Sequence, residues 1–274
     1  MTQSQHDKAA RFRALHEGPG AFVMGNIWDA GSARIVAGLG FQAVATSSGA
    51  FANTLGRGDG EVSRDDVLVH ARDVAAIVDV PVSGDFENGF GHAPDYVAET
   101  IRLAADSGLV GCSIEDFAGN EADRLYDKSE AAERIAAAAE AASGVGFAFT
   151  LTGRAENFLR GNPDLDDTIA RLVAYQDAGA DVLMAPGLPD LDAVKAVCGA
   201  LDKPLNFMVG VPGRSFAKAD LEAAGVKRIS LATSLYKAAL TGFIAAAREA
   251  QDDGTFGYVE TLIGGAELGE LMDE

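Results

Sequence analysis

Basic residues, histidine, cysteine and proline are all scarce in this chain, and each scarcity closes a class of function. Lys and Arg number 22 against 41 Asp and Glu, a net charge of −19 over 274 residues. With no basic stripe, the chain is a poor partner for nucleic acid or an anionic membrane surface. Two cysteines, Cys112 and Cys198, are too few for a disulfide scaffold and fit a reducing compartment. The four histidines lie far apart at positions 6, 16, 70 and 92, so no His or His/Cys cluster offers a zinc site. No apolar run approaches the ~18 residues of a membrane span, and the opening MTQSQHDKAARFRALHEG lacks an apolar signal core. Phosphate-loop, dinucleotide and nucleophile-elbow motifs are missing as well. The expectation is a cytoplasmic protein with no nucleic-acid or membrane partner.

What is present is a repeated alternation. Apolar residues make up 48% of the chain, enough for a full core. Eight short apolar runs recur at 21–26, 42–48, 81–87, 111–116, 146–153, 181–186, 204–209 and 228–233. Each is short, partly β-branched or aromatic and bounded by turn residues, as a strand buried on both faces should be. Between them, amphipathic stretches at 64–78, 94–106, 129–142, 165–178, 189–199 and 215–224 read as helices. The phrases SGLV, AGAD and AGVK precede the fourth, sixth and eighth runs, each with a glycine suited to end a helix in a left-handed turn. Eight such units predict a closed (β/α)8 barrel. An open doubly wound sheet is the alternative, but it has no Gly-rich turn after the first strand. One domain spans 1–274, with a helical arm at 1–20, a helix near 234–251 and a C-terminal extension at 252–274.

In such a barrel, chemistry collects at the C-terminal strand ends. The third run ends in Asp85 and Glu87, two residues apart and therefore expected on one face. The fourth ends in Ser113 and Glu115, and Asp59 follows the second in its loop. Four carboxylates converging on one volume repel unless a cation joins them, and an all-oxygen set suits Mg2+, with Mn2+ possible. Arg154 ends the fifth run and offers a bidentate clamp for a substrate carboxylate, or else an ion pair with Glu156. Ser48, Gly49 and Ala50 form a small-residue turn able to cradle an anion. Asn206 on the seventh run and Trp28 after the first complete the candidates. A metal, an arginine and an anion cradle together suit a 2-oxo acid whose bond at C3 breaks to leave an enolate.

The segments GNIWDAGSARIVAGLGFQAVATSSGA (25–50), GDFENGFG (84–91), CSIED (112–116), LTGRAE (151–156) and PLNFMV (204–209) resemble the isocitrate lyase and phosphoenolpyruvate mutase superfamily. That resemblance implies a barrel enzyme using Mg2+ on 2-oxo or 2-hydroxy carboxylates and assembling as a dimer or tetramer through a C-terminal helix. It implies Asp85 as direct metal ligand, with Asp59, Glu87 and Glu115 acting through water. Asp59, Glu115 and Arg154 are the implied catalytic set. It places Ser48, Gly49, Ala50, Arg154 and Asn206 on the substrate, and Trp28 as an aromatic wall. The lyase signature K-[KR]-C-G-H is absent after the fourth strand, where Asn120 and Arg124 stand in a Cys-free, His-free loop. Pro186-Gly187 replaces the lyase Pro-Glu. The reaction needing the fewest missing parts is cleavage or decarboxylation of a small oxaloacetate-like or substituted malate-like acid. A C–P bond enzyme and a non-catalytic 2-oxo acid binder are the alternatives.

Overall fold

A computed structural model describes residues 3–119 and 125–272. The eight apolar runs form strands β1 (Phe22–Ile27), β2 (Val44–Thr46), β3 (Val82–Asp85), β4 (Gly111–Glu115), β5 (Thr150–Arg154), β6 (Val182–Met184), β7 (Leu205–Met208) and β8 (Arg228–Ser230). All pair in parallel and in sequence order, and β8 returns to β1, so the barrel is closed. Outward side chains such as Val82, Ile114, Leu151 and Phe207 join the helices in one apolar layer. Exact strand ends are shorter than the runs suggest, because several runs continue into loops at the carboxyl end.

The helices follow the expected pattern. The arm forms α1 (Gln5–Glu17), and α2 (Ala30–Gly38) and α3 (Ser48–Thr54) come next. They are followed by α4 (Arg64–Ile77), α5 (Pro94–Asp106), α6 (Lys128–Ser143), α7 (Leu165–Asp177), α8 (Leu191–Ala200) and α9 (Lys218–Ala223). Gly108, Gly179 and Gly225 all take positive φ, of 96°, 105° and 101°, which turns each helix into the next strand. Helix α1 closes the amino end of the barrel. Its Ala9 and Phe12 pack with Phe22, Met24, Ala45 and Val110 in a second, smaller apolar cluster.

Beyond the barrel lie α10 (Ser234–Arg248) and α11 (Gly265–Met272), the latter packed against α2. Gly38 makes that approach close, since a Cβ there would stand 2.9 Å from the Leu271 carbonyl oxygen. Helix α10 is different: no residue in it is buried, and Phe243 is 68% exposed. Among the described residues, no helix is long and apolar enough to cross a membrane.

Candidate active site

The strand register assembles the site. Asp85 pairs with Ser113 across β3 and β4, and Glu115 pairs with Arg154 across β4 and β5. Four donors then surround the Asp85 carboxylate. The Ser48 amide (3.2 Å) and hydroxyl (3.0 Å) donate to Oδ2, and the Ser113 hydroxyl (3.4 Å) donates to Oδ1. Arg154 Nη1 lies 3.6 Å from that same Oδ1 and 3.4 Å from Glu115 Oε2. At its other end, Arg154 Nε donates to Glu156 Oε1 at 2.5 Å. Glu156 also accepts from Arg160 Nε at 3.1 Å, and the Arg160 guanidinium stacks on Phe117. Below this layer, Asp116 points away from the mouth and ties strands to helix. It accepts from the Glu156 amide (2.8 Å), the Tyr175 hydroxyl (2.6 Å) and Arg171 Nη1 (3.0 Å).

Acid exceeds base in this volume, and the buried carboxyl groups are pushed up accordingly. Burial, then the charges of Asp85 and Asp59, pushes Glu87 up to about 8. Burial also raises Glu115 well above the usual carboxylate range; Arg154 opposes that shift, while Glu156 and Asp85 reinforce it. Asp59 is raised by burial and by Asp85. For Arg154, burial disfavours the charge, but Glu156, Glu115 and Asp85 more than reverse it. Two neighbouring cavities share this wall. The larger, of about 260 Å³, runs from Asp59 and Asp85 past Asn206 into the barrel, and the smaller holds Glu87 and Glu115. Among the described residues, no group of three His, Cys, Asp or Glu stands ready to hold a metal ion.

The phosphoenolpyruvate phosphomutase family profile matches residues 12–251. The chain belongs to the isocitrate lyase and phosphoenolpyruvate mutase superfamily. A Burkholderia cenocepacia crystal structure provisionally named a lyase/mutase is 49% identical, covers 98% of this chain and 97% of its own, and superposes with a TM-score of 0.95. A second protein from that organism, provisionally named a phosphonomutase, is 34% identical with a TM-score of 0.83 and covers 90% of this chain and 100% of its own. An oxaloacetate decarboxylase from Chromohalobacter salexigens is 28% identical over 258 residues, 92% of this chain and 88% of that one.

Within this superfamily member, the structure groups most of the sequence candidates but changes several reasons. Asp59, Asp85, Glu87, Glu115 and Arg154 do come together. Glu87 arrives by a different route than strand alternation. Strand β3 stops at Asp85, and Glu87 takes a left-handed φ of 48°, its carbonyl accepting from the Glu115 amide at 2.8 Å. Arg134 holds that turn by donating to the carbonyls of Asn88, Gly91 and His92. The Ser48-Gly49-Ala50 turn is in fact the first turn of α3, with Ser47 as its N-cap. The Ser48 amide and hydroxyl are turned onto Asp85 rather than left open as an anion cradle. Gly49 lines the larger cavity, while Ala50 is buried behind it. Trp28 is half-buried against Tyr236, ring centres 5.3 Å apart, and is not among the residues lining that cavity. Asn206 does line it, 1% exposed, with Nδ2 on Ser230 Oγ at 3.1 Å. Asn120 and Arg124 lie outside the described residues.

Sequence reading missed Arg160, Lys237 and Arg228. Arg160 stands four residues after Glu156, a spacing that could have revealed it. Lys237 reaches the cavity rim from α10, and Arg228 lines the floor from the start of β8. Cys112 is fully buried on the outward face of β4, and burial raises its thiol well above the ordinary value.

Proposed function

We propose that this chain is a Mg2+-dependent carbon–carbon lyase or decarboxylase acting on a small 2-oxo or 2-hydroxy di- or tricarboxylic acid, oxaloacetate-like or substituted malate-like. The observation that carries this reading is the Asp85 carboxylate at the barrel mouth, donor-surrounded and facing Arg154 within an excess of acid. The donor set fits a hard cation. Its charge would offset the burial, and the added repulsion among the acids, that raise Glu87, Glu115 and Asp59. It fits Mg2+ held by one direct carboxylate, Asp85, with Asp59, Glu87 and Glu115 through water, since Mg2+ keeps several waters. Mn2+ suits the same oxygens. When bound, the ion would supply Lewis-acid stabilisation of negative charge at the 2-oxo group.

The protein's own groups account for the rest. Arg154, braced at Nε by Glu156, lines the larger cavity, and its planar guanidinium would take a substrate carboxylate in exchange for its contacts with Glu115 at 3.4 Å and Asp85 at 3.6 Å. Asn206 and Gly49 shape the cavity wall. Lys237, which lines that cavity from α10, would supply the proton to the carbon left by the departing group. No thiol is required, in keeping with Cys112 and Cys198 both being raised by burial. The name of the decarboxylase relative supports this reading. The phosphonomutase name of the 34% identical protein keeps a C–P bond enzyme as the second reading.

The test is a pyruvate and glyoxylate release assay with and without Mg2+ on oxaloacetate, dimethylmalate, 2-methylisocitrate, isocitrate and phosphonopyruvate. Metal-dependent turnover of a carbon acid supports the proposal. Turnover of phosphonopyruvate alone replaces it with the second reading. Oxalate binding without any turnover identifies a non-catalytic binder. We further propose a homo-oligomer, dimer or tetramer, with the exposed face of α10 covered by a second copy. Phe243→Glu should then lower the mass measured by light scattering, and a monomeric native protein would refute it.

A further inference from the structure

The floor of the larger cavity holds a charge that the mouth chemistry leaves unused. Arg228 opens β8, is 2% exposed and lines that cavity from below. Its described partners are neutral. Nη2 donates to Thr152 Oγ1 at 2.9 Å, and Nη1 lies 3.4 Å from His16 Nε2. The other nitrogen of that ring, Nδ1, is 2.8 Å from the Phe12 carbonyl, which can only accept, so the proton sits on Nδ1 and Nε2 faces Arg228 as an acceptor. Burial, and secondarily Arg228 itself, pushes His16 down to about 3, which keeps the ring neutral. Among the described residues Arg228 forms no ion pair, and its Nε–H has no acceptor.

A buried guanidinium without a counter-charge is strongly unfavourable. Its neighbour across the strand register is Asn206, whose Oδ1 is also buried without a partner. The Asn206 amide can be turned end for end without losing Ser230, because a serine hydroxyl donates as readily as it accepts. Two adjacent strands then carry unpaired N–H donors, Nε of Arg228 and Nδ2 of Asn206, on paired residues that both line the larger cavity. Such a pair is complementary to an anion supplied from outside the chain.

We infer that Arg228, flanked by Asn206, receives a second anionic group of the substrate and makes the pocket selective for dianionic over monoanionic 2-oxo and 2-hydroxy acids. This rests on the proposed function, in which the Asp85 and Arg154 end of the cavity takes the first carboxylate. Arg228 is a specificity-determining residue on this view, and the carbon skeleton spans from mouth to floor.

Isothermal titration in Mg2+ with oxalate, lactate, malate and 3-phosphonolactate tests it on the native protein, Arg228→Met and Arg228→Lys. The native protein should prefer malate or 3-phosphonolactate to lactate by about tenfold or more, the worth of one charge-assisted contact. Arg228→Met should erase that preference and leave oxalate and lactate unchanged. Arg228→Lys should keep part of it. Whichever dianion loses more identifies the second group as carboxylate or phosphonate. The straight methionine chain fills the same space without a buried charge, so Arg228→Met should melt at or above the native temperature. A Met variant that keeps the preference, or that melts far lower or fails to fold, would overturn the inference and make Arg228 part of the scaffold. Native protein that binds no oxalate in Mg2+ would overturn the proposed function and this inference with it. Oxalate binding with an unaltered preference overturns the inference alone.

Discussion

Arg154→Lys separates a guanidinium that positions acids from one that is merely a positive charge. The native side chain works at both ends, with Nε on Glu156 at 2.5 Å and Nη1 between Glu115 at 3.4 Å and Asp85 at 3.6 Å. A single ammonium reaches one end only. If it stays with Glu156, Asp85 loses its cation and Glu115 keeps only Arg160, at 3.9 Å; if it swings to the mouth, Glu156 keeps only Arg160, at 3.1 Å. A hydrogen bond to a charged group is worth about 1.5–3 kcal/mol. Arg154 is 14% exposed, so solvent screens little of that. Arg160 compensates in part, which places the expected loss near 2 kcal/mol. In a chain of this size that corresponds to a fall in melting temperature of roughly 4–8 °C. The substrate effect is separate. Loss of the planar fork should weaken Mg2+-dependent oxalate binding by more than about tenfold, or above ~1.4 kcal/mol. Calorimetric unfolding and oxalate titration read the two quantities on the same sample. A Lys variant that melts within about 1 °C of the native protein and binds oxalate equally well would refute the bridging role.

Three further expectations follow from particular contacts. Asp85→Ala should abolish the Mg2+ dependence of oxalate binding, because Asp85 is the proposed direct ligand; unchanged metal dependence in the folded variant removes that assignment. Gly84→Ala should cost about 2–3 kcal/mol and weaken oxalate binding as well. Its Cβ would stand 2.2 Å from Phe86 Cε2 and 2.7 Å from Leu109 Cδ1, forcing β3 to shift next to Asp85, and a native urea midpoint would contradict this packing. His16 should make folding acid-sensitive. Burial holds its folded pKa at about 3, below the ordinary 6.5, so its contribution is full above pH 6.5 and is lost as pH falls toward 3. At pH 5 the loss is about 2 kcal/mol, and His16→Gln should shrink the difference between urea midpoints at pH 7 and pH 5. Equal differences in the two proteins would show that His16 is not responsible.

Much of the candidate site was legible because it lies at the ends of regular elements. Asp85, Glu115 and Arg154 end parallel strands, with Ser113 one inward position before the end of β4, and a parallel barrel gathers its strand ends whatever the loops do. Glu87 was found for an incomplete reason, since its place depends on a left-handed turn clamped by Arg134, more than forty residues away in the chain. Ser48 looked like an open anion cradle because a small-residue stretch carries no sign of what its donors will meet. Only the β2–β3 register directs them to Asp85.

By itself the sequence determined the barrel, its closing order and the acid-rich mouth. The reason is that strands buried on both faces need uninterrupted apolar runs, and their flanking helices need amphipathic ones, patterns read over a few residues. Tertiary structure alone decided which charges are compensated. Arg154 and Arg228 look alike along the chain, each an arginine at the boundary of a strand. Packing sets the first among Asp85, Glu115 and Glu156, and the second between Thr152 and a neutral His16. The free energy of a buried charge depends on its neighbours in space and on the water removed from it, and neither is a local property of the sequence.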